Sequence, residues 1–139
     1  MALSFSEQIK ANSKKALEQI DKRLQRIAFN LFMDIVMETT VDSGLLCNNW
    51  YPNSGADFSS EINNLADKSG SGSKARIYAQ LGKGTFLGKD GVMTMANNLS
   101  YAYEIEYAGP NTGKNYQKPQ GMVRVSVDKT FGKIQAGAL

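Results

Sequence analysis

The 139-residue chain contains no histidine and only one cysteine, Cys47. The Ser-His-Asp and Cys-His catalytic designs and most zinc sites are therefore excluded, because imidazole is the side chain that titrates near neutral pH. A single cysteine cannot form a disulfide within the chain. We expect no enzyme, no catalytic residue, no metal site and no cofactor.

Long apolar segments are missing as well. No run approaches the ~20 residues that a membrane span needs, so neither a spanning segment nor a membrane partner is expected. The first residues lack the basic-then-apolar order of a secretory signal, and we expect no export by that route. The length suits one domain, and residues 1–139 are interpreted as a single domain.

The formal net charge is +3, and the excess of basic residues lies in residues 1–26. This segment could lie near DNA phosphates or near an acidic protein surface. The simpler interpretation, which we favour, is the solvated face of a helix. A small DNA-binding module that uses the basic N-terminal helix stays as the alternative from another functional class.

Residues 1–38 are predicted to form one long helix. Ser4 and Glu7 have the S-x-x-E spacing of a capping box. Apolar residues then recur at helical spacing, and we expect them to face the core. They are Leu17, Ile20, Leu24, Ile27, Leu31 and Ile35. A helix of this length would reach about 50 Å, so its first two turns should project from the body.

Two segments read as mobile loops from their polar, glycine-containing composition, residues 53–74 and residues 108–120. A short helix is possible at the end of the first loop, from Lys74 to Leu81. Asp42 is a candidate cap for another short helix that runs toward Trp50.

The best strand candidate is the segment 92–96, which is bounded by a glycine-rich turn. Residues 100–107 fit a short helix or a second strand. In the last segment, 122–134, valines alternate with polar residues as in a strand, yet its apolar residues also share one helical face, so both remain open. The predicted class is α+β, with the long N-terminal helix packed on a small antiparallel sheet beside short helices and long loops.

Two sequence blocks resemble a known family. The first is T-V-D-S-G-L-L-C-N-N-W at 40–50, and the second is N-N-L-S-Y-A-Y-E-I-E-Y at 97–107, which continues as Q-K-P-Q-G-M-V-R-V-S-V at 117–127. Together they resemble the tail-completion, or head–tail joining (neck), proteins of long-tailed bacteriophages. The blocks occur in the family's order after a long N-terminal helix. The serines at 43 and 100 and the alanine at 108 depart from the family's pattern.

The resemblance implies a virion structural protein without an active site. It would form a homo-oligomeric ring at the head–tail junction, after assembly in the host cytoplasm. Its partners would be further copies of itself, the neighbouring connector or head-closure proteins, the tail-terminator or tail-tube proteins, and packaged DNA that passes through the lumen without sequence recognition. A tail-terminator protein that caps the tail tube is the nearest alternative.

The resemblance also assigns structural and assembly roles to particular residues, and it implies that Met122 onward is a helix. Glu106 and Arg124 are the charged pair in the second block, and we expect a salt bridge between them, within one subunit or between two. The residues carried over are Asp42, Gly44, Trp50, Asn97, Asn98, Tyr101, Glu106, Tyr107, Pro119, Gly121, Met122 and Arg124.

Overall fold

The computed structural model describes residues 2–55, 61–81, 92–107 and 121–139. Over these residues the chain forms four α-helices, one 3₁₀ turn and a two-stranded antiparallel sheet. Their order is α1 (Phe5–Glu38), the 3₁₀ turn (Leu46–Asn48), β1 (Tyr51–Ser54), α2 (Ser71–Leu81), β2 (Met93–Ala96), α3 (Ala102–Tyr107) and α4 (Val123–Gln135). The predicted α+β class is confirmed.

Local hydrogen bonds set both ends of α1. The Glu7 backbone N–H donates to the Ser4 hydroxyl at 3.2 Å, and the Ser4 N–H donates to the Glu7 carboxylate at 2.9 Å, which confirms the predicted capping box. At the other end Thr39 turns to extended backbone, and its buried hydroxyl donates to the Ile35 carbonyl at 2.6 Å. The helix therefore ends where the chain turns back toward the core.

Only the C-terminal half of α1 is packed. Its buried residues lie against α2 and α4, and they include Ala28, Phe32 and Ile35. Every residue from 2 to 20, a segment that we call the arm, is exposed. The prediction that Leu17 and Ile20 face the core is wrong, because the stripe continues into this uncovered half, where they are 67% and 54% exposed.

The sheet consists of β1 and β2 alone among the described residues. Tyr51 lies opposite Ala96 and Ser54 opposite Met93, and β1 packs against α2. The predicted strand at 92–96 is confirmed. The sheet is therefore joined to the helices through α2.

Several boundaries differ from the prediction. The 53–74 loop is shorter than predicted, because β1 includes residues 53 and 54 and α2 begins at Ser71 rather than Lys74. The open alternatives for residues 100–107 and 122–134 both resolve as helix. The predicted 108–120 loop, Pro119 and the glycine-rich turn at 82–91 lie outside the described residues.

The packed face of α4 carries two buried polar residues beside the half-buried Val123 and Val127. Ser126 and Thr130 are buried against the core, whereas Phe131 is 60% exposed. The Ser126 hydroxyl donates to the Met122 carbonyl at 2.8 Å, so this polar side chain is buried with a partner. Small side chains on this face leave room for α4 to pack directly against α1.

One apolar core joins all the helices. Trp50 is 5% exposed, and its indole N–H donates to the Thr39 hydroxyl at 2.9 Å, so the tryptophan is tied to the end of α1. The other core residues are Ala28, Phe32, Ile35, Val36, Leu46, Ile77, Leu81, Leu99, Ala102, Ile105 and Met122.

Candidate functional site

The first sequence block folds into a buried network of amides. Asn48 is fully buried, and its side-chain NH₂ donates to the carbonyls of Gly44 at 2.8 Å and Asp67 at 2.5 Å. Its side-chain oxygen accepts from the Gly72 N–H at 2.9 Å. One side chain thus connects the turn after α1, the 61–70 segment and the start of α2.

Asn49 repeats this arrangement one residue later. Its side-chain oxygen accepts from the Asn63 N–H at 2.9 Å, and its NH₂ donates to the carbonyls of Leu45 and Asn63 at 2.7 and 3.2 Å. The Asn63 amide in turn donates to the Asn48 carbonyl at 2.9 Å. The segment 61–70 has no regular secondary structure, and these side chains supply the hydrogen bonds that a helix or sheet would otherwise provide.

Arg76 closes the network from α2. Its Nε donates to the Trp50 carbonyl at 3.0 Å, and a terminal nitrogen donates to the Asn48 carbonyl. The guanidinium lies over the Tyr51 ring, 3.9 Å from the ring centre. Burial lowers the pKa of Arg76, but the side chain keeps its charge, because an arginine titrates far above neutral pH.

Gly44 and Asp42 have different parts in this turn. Gly44 has a positive φ of 91°, and a Cβ there would stand 2.5 Å from the Asp67 carbonyl carbon, so the position requires glycine. Asp42 is exposed, and the predicted cap is wrong, because the 3₁₀ turn begins beyond it with no side-chain cap.

Another aspartate, Asp67, holds the residues that lead into α2. Its carboxylate accepts from the Ser71 hydroxyl and from the Ser69 N–H and hydroxyl, the last two at 2.9 and 2.8 Å. These bonds lower the pKa of Asp67 to about 2, and the bond from the Ser71 hydroxyl has the largest effect on it. Asp67 therefore stays ionised and orders the entry to α2.

Cys47 lies inside this cluster, 2% exposed, and its thiol donates to the Gly44 carbonyl at 3.2 Å. Burial raises the pKa of the thiol above its usual range. A thiol without ionisation and without access is a core side chain, as the sequence predicted.

The second block is connected directly to the first. The Asn97 amide donates to the Leu46 carbonyl at 2.9 Å, and its oxygen accepts from the Leu99 N–H at 3.2 Å. Tyr101 is half-buried and packs against the core, whereas Asn98 is exposed. Asn97 therefore sets the position from which α3 begins.

Glu106 joins α3 to α4. Its carboxylate accepts from the backbone N–H groups of Met122, Val123 and Arg124 at 2.5, 3.0 and 3.1 Å, and from Arg124 Nε at 3.2 Å. Arg124 also donates to the Glu106 carbonyl. The expected salt bridge is thus present within the chain, and the carboxylate caps the positive end of α4.

Two further features hold this contact, which we call the Glu106 clamp. Burial alone would raise the pKa of Glu106, but the hydrogen bonds from Met122, Val123 and Arg124 outweigh it and lower the pKa below the usual range. Gly121 has a positive φ of 88°, and a Cβ there would lie 2.5 Å from the Glu106 carboxylate. Met122 is 1% exposed and anchors the start of α4.

The tyrosines separate into two groups. Trp50 and Tyr101 belong to the core and its edge, so they do not form one exposed surface with Tyr103 and Tyr107. Tyr103 and Tyr107 are exposed and stack with ring centres 4.6 Å apart, and the Arg124 guanidinium lies 4.8 Å from the Tyr107 ring centre. The outer side of the Glu106 clamp is therefore an exposed aromatic and cationic patch.

The arm contributes a different surface. It holds Lys10, Lys14 and Lys15, all exposed, together with apolar side chains that include Ile9 and Leu17. The basic segment 1–26 was predicted to be a solvated helix face, and over residues 2–20 the structure shows the helix exposed on every side.

Sequence reasoning missed Asn48, Asn49, Asn63, Asp67 and Arg76. The signal for the first two was present, since adjacent amides inside the apolar run L-L-C-N-N-W must find partners if that run is buried. The partners themselves lie up to 28 residues away along the chain, and periodicity does not report such pairs.

The described residues offer no group of three or more acidic or cysteine side chains placed to hold a metal ion. Among the described helices none has the length and apolar character needed to cross a bilayer. No protein-family model, no curated protein and no solved structure matches the chain.

Proposed function

We propose that this protein is a virion structural protein of a tailed bacteriophage, assembled as a ring at the head–tail junction and required for tail completion and head–tail joining. The proposal rests first on the two sequence blocks that resemble the neck family. A tail-terminator protein at the end of the tail tube is the neighbouring role.

The observation that carries the proposal is that residues of those blocks make the contacts between separate segments of the chain. Asn97 of the second block binds the Leu46 carbonyl of the first, and Glu106 caps α4 where Gly121 gives it room. The resemblance therefore falls on residues that join separate segments into one body. Such residues maintain the shape of the body, which is what a structural protein contributes to an assembly.

Surface character supports the same role. The arm leaves the body with its apolar side chains exposed, and the Tyr103–Tyr107 pair adds a second exposed patch beside Arg124. Exposed apolar surface of this kind is typical of proteins that assemble with others.

The test is deletion of the gene in the phage that carries it, followed by negative-stain electron microscopy of the lysate. The proposal predicts DNA-filled heads beside separate tails of normal length. Overlong tail tubes would contradict head–tail joining and support the tail-terminator role. Intact infectious particles would contradict both.

Packaged DNA passing through a ring requires weak, non-specific contact, because tight phosphate binding would block transit. We expect weak DNA binding, without sequence preference, that disappears as salt rises. A defined high-affinity DNA site would contradict this expectation and support the alternative of a DNA-binding module that uses the arm.

A further inference from the structure

The arm carries an apolar face that is uncovered in the described chain. Ile9, Leu17 and Ile20 are 50%, 67% and 54% exposed, and they lie on one side of the helix. This side continues the stripe that is buried further along α1 at Ile35. Between Ile9 and Leu17 the face forms a shallow groove.

Charges border this groove on one edge only. Lys10, Lys14, Glu18 and Asp21 line it, with the two basic residues toward the N-terminus of the helix and the two acidic residues toward the body. At about 100° per residue, the opposite edge of the stripe is formed within the arm by Asn12, Ala16 and Gln19, which are uncharged, and Arg23 continues it beyond the arm. The two edges are therefore electrostatically different.

We propose that a second copy of this chain covers the face, with the two arms packed antiparallel about a two-fold axis near Ala16. In an antiparallel helix pair, each edge of one helix contacts the same edge of the other helix. Lys14 of one copy therefore lies beside Glu18 of the other, and the two-fold axis generates a second, identical pair. Leu17 and Ile20 then pack at the centre, and the charges border the apolar seam. In a parallel pair the charged edge would meet the uncharged one, and no such complementarity would result.

The pairing is a property of the free protein and does not rest on the proposed function. A two-fold contact closes on itself, so it cannot continue around a ring, and ring contacts would use other surfaces. Failure of the pairing would leave the head–tail role unaffected, and failure of the head–tail role would leave the pairing intact.

The experiment is sedimentation equilibrium over a concentration series for the full-length protein, Lys14→Glu, Glu18→Lys and an equimolar mixture of the two variants. The wild type should dimerise. Each variant alone replaces two attractive pairs by two repulsive ones and should raise the dimer dissociation constant about tenfold or more. The mixture should return to wild-type affinity, because each glutamate at 14 then meets a lysine at 18.

Lys22→Glu is the matched control. It makes the same charge change and also removes a helical neighbour of Glu18, but Lys22 lies on the side of the helix away from the stripe, so dimerisation should be unchanged. Leu17→Lys should give a monomer.

Three results would overturn the proposal. A wild-type monomer at every concentration would exclude the pair. Variants that dimerise like the wild type, or a mixture that does not recover, would exclude the antiparallel contact and leave the face for another partner or another geometry.

Discussion

The Glu106 carboxylate is a single group that holds two helices together. It accepts hydrogen bonds from three backbone N–H groups at the start of α4 and from the Arg124 guanidinium, while the residue itself is 7% exposed. Without this carboxylate, the first N–H groups of α4 would be buried and unpaired. Its contribution is therefore expected to exceed that of an ordinary surface salt bridge.

Glu106→Gln should lower the free energy of unfolding by about 2–3 kcal/mol, because an amide offers one acceptor oxygen and carries no charge toward the helix end. Arg124→Gln should cost less, about 1 kcal/mol, since the three backbone bonds remain. Urea unfolding measures both. Glu104→Gln, on the exposed side of α3, is the matched control and should change stability by less than about 0.5 kcal/mol. Equal losses of unfolding free energy for Glu104→Gln and Glu106→Gln would contradict the stabilising role of the Glu106 clamp.

The pKa of Glu106 predicts a dependence of stability on pH. Because the folded-state pKa is lowered, the carboxylate stabilises the fold fully above the ordinary glutamate pKa of about 4.3 and loses this effect as pH falls through the lower folded value. The difference in unfolding free energy between wild type and Glu106→Gln should therefore shrink on acidification from about pH 6 to about pH 3. A difference that stays constant over that range would contradict the assignment.

Two glycines should respond oppositely to alanine. Gly121→Ala should destabilise the fold by more than about 1–2 kcal/mol, since φ is positive and the new Cβ would meet the Glu106 carboxylate. Gly132 lies inside α4 with open space around the added atom, so Gly132→Ala should stabilise by about 0.5–1 kcal/mol. Thermal or urea unfolding checks the pair, and the same sign for both would be a contradiction.

At the scale of elements, α1 is one helix with two environments. The capping box at Ser4 and Glu7 is local, and the sequence predicted it correctly. The apolar stripe along α1, in contrast, led to the wrong prediction that Leu17 is buried. Periodicity indicates which side of a helix is apolar, but it does not indicate how far neighbouring elements extend along that side.

This contrast gives a prediction for two positions on the same stripe. Ile35→Ala removes a 4%-exposed side chain and should cost about 3 kcal/mol. Leu17→Ala should change the free energy of unfolding by less than about 0.5 kcal/mol at low protein concentration, where arms do not pair. Chemical unfolding in dilute solution measures both, and a large cost at Leu17 would mean that the body covers the arm.

The last helix shows why some elements could not be assigned from sequence. Residues 122–134 fitted a strand as well as a helix, and the group that caps the helix, the Glu106 carboxylate, lies on another element. Likewise, the order in the 61–70 segment comes from Asn48 and Asn49, whose partners are distant along the chain. Tertiary hydrogen bonds of this kind leave no periodic signal.

At the scale of the whole molecule, the described chain is a small α+β body from which one helix extends. The class and the strand at 92–96 followed from apolar pattern and turn residues. The burial of Ser126 and Thr130 on α4 did not, since these polar residues lie beside half-buried valines while Phe131 is exposed. The head–tail role remains a proposal carried by the two sequence blocks and by what their residues hold together.

The most direct test of that role is complementation in a lysate. Purified protein would be added to a lysate of the phage from which the gene has been deleted, and infectious particles would be counted by plaque titre. The account predicts that the wild-type protein raises the titre by joining preformed heads and tails. A titre that stays at the level of the untreated lysate, with separate heads and tails still present, would contradict the proposed function.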